Sequence, residues 1–225
     1  AHYLEVTLST CLNNSERARK YFLIAQLYAS KGKAEKAESF FEKSIAITTD
    51  PIMETYARIQ QIGLTSNGKN QDKKIESSIQ SLLLMSKKEK YANYKSIIFA
   101  SIAELELKNK KPVKAIEYFI QSNQFAKEEP DLKNKNNVQI ASIAFDNKNY
   151  PLAKTYYDSI NTDGLKNADD INLKKSLVSD LVKNLNTVQR EDSLQMISKM
   201  NEKDRDAFIK DVLKKFKKDQ AIGEP

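Results

Sequence analysis

The segment that comes closest to a known chemical motif is Gly63-Leu-Thr-Ser-Asn-Gly-Lys69-Asn70. A phosphate-binding loop places a lysine after two glycines, so that backbone amides and an ammonium surround a phosphate, and it then needs Ser or Thr for magnesium. Asn70 occupies that last position here, and the preceding residues 57–62 have a helical pattern where the motif needs a strand. A helix that ends near a glycine and is followed by a polar turn explains the segment. We therefore expect no nucleotide to bind there.

The chain is poor in histidine and cysteine, the residues most used in nucleophilic catalysis and zinc binding. It has one histidine, His2, and one cysteine, Cys11. A single histidine nearly excludes a nucleophile–histidine pair and a zinc site with two histidines, and a single cysteine excludes an internal disulfide. The acidic pairs Glu128-Glu129 and Asp169-Asp170 lie at predicted helix ends, where acids are ordinary. We expect a protein that is not an enzyme, with no catalytic, cofactor-binding or metal-binding residue.

Glycine and proline are scarce, and this scarcity favours a helical fold. The chain has 5 glycines and 5 prolines among 225 residues, below the average usage of about 7% and 5%. A sandwich or barrel of many short strands would need more turn residues than this. The longest apolar runs, such as residues 82–85 and 97–100, fall far short of the ~18 residues that suggest a membrane span. We expect an all-α protein with no transmembrane segment.

One pattern recurs along the chain. Residues 21–44 align without a gap with residues 99–122, and residues 139–157 repeat the later part of the same pattern. A small residue marks the same position in each copy: Ala37, Ala115 and Ala153. These alanines are 78 and 38 residues apart, so the first spacing is two steps of 39. One divergent repeat is therefore predicted between the first two copies.

Each copy has an apolar first helix, a short polar turn, and an alanine followed four residues later by an aromatic residue. The pairs are Ala37 with Phe41, Ala115 with Phe119, and Ala153 with Tyr157. The pattern resembles the tetratricopeptide repeat, a helix–turn–helix unit of about 34 residues with an alanine and an aromatic in its second helix. The resemblance implies a right-handed α-solenoid of such repeats, closed by C-terminal capping helices.

The predicted domains are residues 1–14, the end of a preceding helical segment, residues 15–164, four helix pairs, and residues 165–225, a helical cap. The predicted pairs are 15–31 with 34–47, 51–63 with 71–88, 91–108 with 112–127, and 132–147 with 151–160. Further helices are expected over 168–187, 191–199 and 202–218. Residues 208–216 carry an apolar stripe that could lie on a membrane or a partner helix, but an amphipathic capping helix explains the stripe better.

The solenoid predicts a concave surface, lined by the first helix of each pair, that grips a peptide or a partner domain. The repeat frame places eight residues on this predicted groove: Arg19, Phe22, Gln26, Ala100, Glu104, Lys135, Val138 and Ser142. The first hypothesis is therefore a non-catalytic scaffold that binds other proteins.

A second hypothesis comes from the net charge of +7, which could attract nucleic acid or an anionic surface. The chain also has 10 tyrosines and 9 phenylalanines, and aromatic side chains among basic ones can stack on single-stranded bases. Most of these aromatics recur at repeat positions, however, and this recurrence favours packing in the core. We therefore expect protein partners and no nucleic acid.

A closer resemblance is carried by Arg17–Phe22, Gln26–Tyr28, Asp192–Leu194, Met200 and Arg205–Ile209. These residues are similar to the tetratricopeptide-repeat lipoproteins of the type IX secretion and gliding machinery of Bacteroidota. The resemblance implies a scaffold on the periplasmic side of the outer membrane that holds secretion-ring or channel components. The lipid anchor is expected outside this segment, because no apolar stretch precedes its only cysteine.

Overall fold

A computed structural model describes residues 2–65 and 71–222, and within those residues every regular element is a helix. In chain order the α-helices are α1 (His2–Val6), α2 (Asn14–Ser30), α3 (Ala34–Ile47), α4 (Pro51–Thr65), α5 (Gln71–Ser86), α6 (Lys95–Lys108), α7 (Pro112–Phe125), α8 (Pro130–Asp146), α9 (Tyr150–Asp158), α10 (Ala168–Lys199) and α11 (Glu202–Ile222). Two 3₁₀ turns cover Thr7–Thr10 and Glu89–Tyr94. The chain divides into two compact units, residues 1–166 and residues 167–225.

The first unit stacks its helices in sequence order. From α2 to α9, each helix packs against the next one along the chain. This packing makes the unit an α-solenoid of four helix–turn–helix pairs: α2 with α3, α4 with α5, α6 with α7, and α8 with α9. The all-α solenoid class predicted from the sequence is confirmed. The pair α4 with α5 occupies the place of the divergent repeat that the alanine spacing predicts.

The turn inside three of the pairs has one backbone geometry. Gly32, Lys110 and Lys148 follow α2, α6 and α8 at equivalent positions, with φ of 68°, 56° and 59°. In each turn the next residue donates its N–H to a carbonyl five residues back, as Lys33 N does to Tyr28 O at 2.9 Å. This arrangement satisfies carbonyls at the end of the first helix and favours glycine at the left-handed position. Two of the three pairs have a lysine there, at a cost in conformational energy.

The repeat alanines lie at tight contacts between helices. Ala37, Ala115 and Ala153 are each 0% exposed, and the aromatic residues four positions later are also buried. Helices approach closely only where the facing side chain is small, so the alanine allows the contact and the aromatic fills the space beside it. In the first pair, Phe22 meets Phe41 edge to face, with ring centroids 5.7 Å apart.

A buried hydrogen bond recurs with the same period. The Ser44 hydroxyl donates to the Ala18 carbonyl at 2.9 Å, and the Ser122 hydroxyl donates to the Ser96 carbonyl at 2.7 Å. Both serines lie on second helices and are fully buried. The bond therefore fixes the second helix of the first and third pairs against the start of its own first helix. The divergent second pair is held differently, since Ile75, Ile79 and Leu82 of α5 belong to a hydrophobic core that it shares with α6.

The second unit differs from the sequence prediction in its first helix. α10 is one helix of 32 residues, so the predicted break between residues 187 and 191 is wrong. That stretch contains no glycine or proline, and its residues fit a helix interior. The chain breaks instead at Met200, whose ψ is 144°. There the Asn201 side chain accepts a hydrogen bond from the Asp204 N–H at 2.9 Å and caps α11.

Few side chains are buried in the second unit. In α10, Ile171 and Val178 are the buried residues. In α11, Ile209, Val212 and Leu213 of the predicted apolar stripe are 43–53% exposed. Phe216 belongs to the same stripe, but its side chain lies outside the described part of the chain. The capping role of residues 165–225 stays a prediction.

Candidate interaction surface

The predicted groove residues lie on α2, α6 and α8, the first helices of three pairs. Six of the eight offer side-chain surface on these helices: Arg19, Gln26, Glu104, Lys135, Val138 and Ser142. The other two contribute mainly to packing. Phe22 is half-buried against the core of the first pair, and Ala100 is only 7% exposed. Ala100 therefore gives a partner very little surface to contact.

An ion pair connects two of the predicted residues across neighbouring pairs. Lys135 Nζ of α8 lies 2.9 Å from Glu104 Oε1 of α6, and both side chains are more than half exposed. A pair this open to water contributes about 0–1 kcal/mol. The ion pair is informative about geometry, because it shows that side chains on the first helices of the third and fourth pairs reach each other.

The divergent second pair places residues of α4 beside the predicted groove residue Glu104, and the repeat pattern did not predict them. Ile59 and Ile62 of α4 line a small cavity of about 50 Å³, together with Ser101 and Glu104 of α6. α4 lacks the repeat pattern from which the groove residues were predicted. Its contribution follows from its contact with α6, which only the packing shows.

A charged cluster connects α4 with the 3₁₀ turn before α6. Glu54 Oε1 lies 2.9 Å from Arg58, and Glu54 Oε2 lies 2.9 Å from Lys90. Burial alone would raise the pKa of Glu54, but hydrogen bonds with Tyr91, Lys90 and Arg58 outweigh it and lower the pKa to about 2. The carboxylate is thus a structural anion that joins the second pair to the third.

A chain of hydrogen bonds between side chains runs from α7 into α8. Asn136, which is 1% exposed, donates to the Ser122 hydroxyl at 2.8 Å and to Asn123 Oδ1 at 3.0 Å. Asn123 in turn donates to Asn137 Oδ1 at 2.8 Å. Buried carboxamides are tolerated only when they are hydrogen-bonded, and here they form hydrogen bonds with one another between the third and fourth pairs.

The same carboxamides border a cavity of about 600 Å³ between α7, α8 and α9. We call it the asparagine pocket. Its polar lining is Asn123, Gln124, Lys133, Asn134, Asn137, Ser159 and Asn161, and its apolar lining includes Ile120, Pro130 and Tyr156. Sequence reasoning did not find this site. The available signal was the run Asn134-Lys-Asn-Asn137 inside a predicted helix, where asparagine is a weak helix former.

The described residues bring together little else that could do chemistry. Among residues 2–65 and 71–222, no group of three or more His, Cys, Asp or Glu side chains could hold a metal ion. Cys11 is buried. α4 continues past Gly63 to Thr65, and Lys69 lies outside the described residues. No helix in the described part of the chain has both the length and the apolar character to cross a membrane.

Comparison with known families agrees with the first helix pair. The family model described as the tetratricopeptide repeat matches residues 12–51, which cover α2, α3 and the first residue of α4. No curated protein matches the chain. The match and the helix pairs together support a protein built of tetratricopeptide-like repeats. Such repeats generally mediate protein–protein interaction and their fold is typically non-enzymatic, which supports a non-catalytic scaffold.

Proposed function

We propose that the first unit binds partner proteins on the face formed by its first helices, and that this binding supports assembly or stability of the type IX secretion and gliding machinery. One contact supports the location of this binding face. Glu104 of α6 meets Lys135 of α8 at 2.9 Å, and this contact supports a shared surface on the first helices of the third and fourth pairs. A scaffold of this kind needs no reacting centre, only a shaped surface.

The character of this surface favours a partner with both polar and apolar groups. Val138 and the half-buried Phe22 provide apolar area, and Gln26 and Ser142 provide hydrogen-bonding groups. Glu104 and Lys135 neutralise each other, so the predicted groove residues of α6 and α8 together carry no net charge. Such a surface suits a folded partner domain or an amphipathic helix better than a polyanion.

The secretion role is supported by the sequence resemblance to the lipoproteins PorW and SprE. Arg17–Phe22 and Gln26–Tyr28, which carry the resemblance, lie in α2, and Asp192–Leu194 lie in α10. By that resemblance the protein acts on the periplasmic side of the outer membrane, held by a lipid anchor outside this segment. Its partners are then secretion-ring or channel components.

A pull-down from a native envelope extract tests both parts of the proposal. The bait is the full chain, compared with a Gln26→Arg/Ser142→Arg variant that places bulky charges on the first-helix face. Glu117→Arg serves as the matched control, because Glu117 is exposed on the second helix α7. We expect the wild type and the control to retain secretion-ring or channel components and the double variant to lose them.

Two other results would contradict the proposal. Recovery of nucleic acid, with a yield that collapses between low and moderate salt, would support the binding of polyanions instead. Recovery of cytosolic chaperones in place of envelope components would overturn the secretion role while leaving a protein-binding scaffold.

A further inference from the structure

The asparagine pocket lies on the side of α8 away from the predicted groove. Successive helix residues are rotated by about 100°, so Lys133 and Asn137 share one side of α8, whereas Lys135 and Ser142 share the roughly opposite side. Lys133 and Asn137 line the pocket, whereas Lys135 and Ser142 belong to the predicted groove. Anything that binds in the pocket would therefore meet a different surface of the first unit from a partner in the groove.

One carboxamide of the pocket already binds a peptide backbone within the chain. Asn134 Nδ2 donates to the Asn161 carbonyl at 2.8 Å, and Asn134 Oδ1 accepts from the Asn161 N–H at 2.9 Å. A carboxamide has donors and an acceptor side by side, and it matches the N–H and carbonyl of one residue in this way. The pocket thus already contains a carboxamide that pairs with the backbone of another residue.

A neighbouring carboxamide, that of Asn123, keeps unused capacity for the same kind of bond. Each carboxamide has two N–H donors and an oxygen with two lone pairs. Among the described residues, Asn123 accepts one hydrogen bond and donates one. Asn137 accepts one and donates one long bond, 3.4 Å, to the Ser159 carbonyl. Asn137 is 4% exposed, so it offers a ligand little surface and instead holds the Asn123 carboxamide in place through their hydrogen bond.

The rim of the pocket adds one positive charge. Lys133 is exposed, and its side chain takes part in no ion pair with the residues that the structure describes. The half-buried Tyr156 lines the same pocket, as does Ile120. The pocket therefore combines backbone-pairing groups, an apolar wall and a cation.

We propose that the asparagine pocket binds an extended peptide segment of a partner protein, with its backbone on Asn123 and an acidic side chain at Lys133. The volume of about 600 Å³ accommodates a segment of a few residues. This site is separate from the first-helix face, so its occupation does not depend on the function proposed above. A scaffold with both surfaces can hold a partner domain and a peptide segment at the same time.

Nuclear magnetic resonance titration of the full chain tests the proposal. The probes are the blocked peptides acetyl-Ala-Asp-Ala-Ala-amide and acetyl-Ala-Lys-Ala-Ala-amide, with sodium acetate as a carboxylate that lacks a peptide backbone. The readout is the side-chain amide signal of Asn123. We expect a saturable shift of this signal with the aspartate peptide, and weaker binding of the lysine peptide.

Two lysines on opposite sides of α8 supply the variants. Lys133→Gln should weaken binding of the aspartate peptide by about threefold, the effect of one exposed ion pair, and Lys135→Gln should leave it unchanged. The proposal is overturned if neither peptide shifts the signal, if acetate reproduces the shift, or if Lys135→Gln is the variant that weakens binding. Equal binding of the two peptides would also overturn it, because Lys133 would then select nothing.

Discussion

The charged cluster at Glu54 predicts a specific loss of stability in acid. Glu54 has its pKa lowered to about 2, against an ordinary value of 4.5, because its hydrogen bonds with Tyr91, Lys90 and Arg58 outweigh its burial. A carboxyl with a depressed folded-state pKa stabilises the fold above its unfolded pKa. That stabilisation should be fully present above about pH 4.5 and should be lost progressively as the pH falls towards 2.

The size of the effect follows from the depth of the depression. Each pKa unit corresponds to about 1.4 kcal/mol, so a fully insulated Glu54 would contribute about 3 kcal/mol. Lys90 and Arg58 are 52% and 39% exposed, and water screens their charges. We therefore expect Glu54→Gln to lower the free energy of unfolding by about 1–2 kcal/mol at pH 7, and by less than half of that at pH 3.

Urea denaturation of both proteins at pH 7 and pH 3 measures the difference. Glu104→Gln is the matched control, since Glu104 also lies 2.9 Å from a lysine but is 51% exposed. That control should cost below about 1 kcal/mol at pH 7. A Glu54→Gln penalty that is equal at the two pH values would refute the assignment of Glu54 as a structural anion, as would a penalty no larger than that of Glu104→Gln.

Three further predictions concern the stability of the repeats, measured by chemical denaturation. Ala115→Leu should overpack a fully buried contact and cost ~1–3 kcal/mol, and an unchanged midpoint would mean that the repeat frame is wrong. Lys148→Gly should stabilise the protein by about 0.5–1 kcal/mol, because Lys148 has a φ of 59°, while Gly32→Ala at the equivalent turn should destabilise it. Glu106→Leu should raise the free energy of unfolding, because Glu106 is 4% exposed and its Oε2 has no hydrogen-bond partner among the described residues; a loss of stability would show that the carboxylate has a structural role.

The repeat pattern was predictable because it depends on particular residue types at a fixed spacing. An alanine followed four residues later by an aromatic, as in Ala115 and Phe119, encodes both the tight helix contact and its filler. The count of pairs followed from spacing alone, since the second pair lacks the pattern. The predicted helix break between residues 187 and 191 was wrong. That stretch is polar, but it has no feature that ends a helix.

The polar interior could not be predicted in the same way. Ser44 and Ser122 occupy aligned positions in the sequence, but only the packing shows that their hydroxyls reach a carbonyl of the first helix. Asparagine is typical of exposed surfaces, so the sequence of α8 did not indicate burial. In the structure these asparagines lie between two helix pairs and form a hydrogen-bonded network. Among the predicted groove residues, Ala100 is largely buried, and the repeat pattern alone does not distinguish it from an exposed position on α6.

Site-specific photo-cross-linking tests the scaffold function most directly. A benzoylphenylalanine is placed at Gln26 or Ser142 on the first-helix face, and at Lys114 on the exposed side of α7 as the control. The full chain is then irradiated in native envelopes. We predict protein adducts containing secretion-ring or channel components at Gln26 and Ser142, and none at Lys114. Adducts that form only at Lys114, or that contain nucleic acid, would contradict a protein-binding face on the first helices.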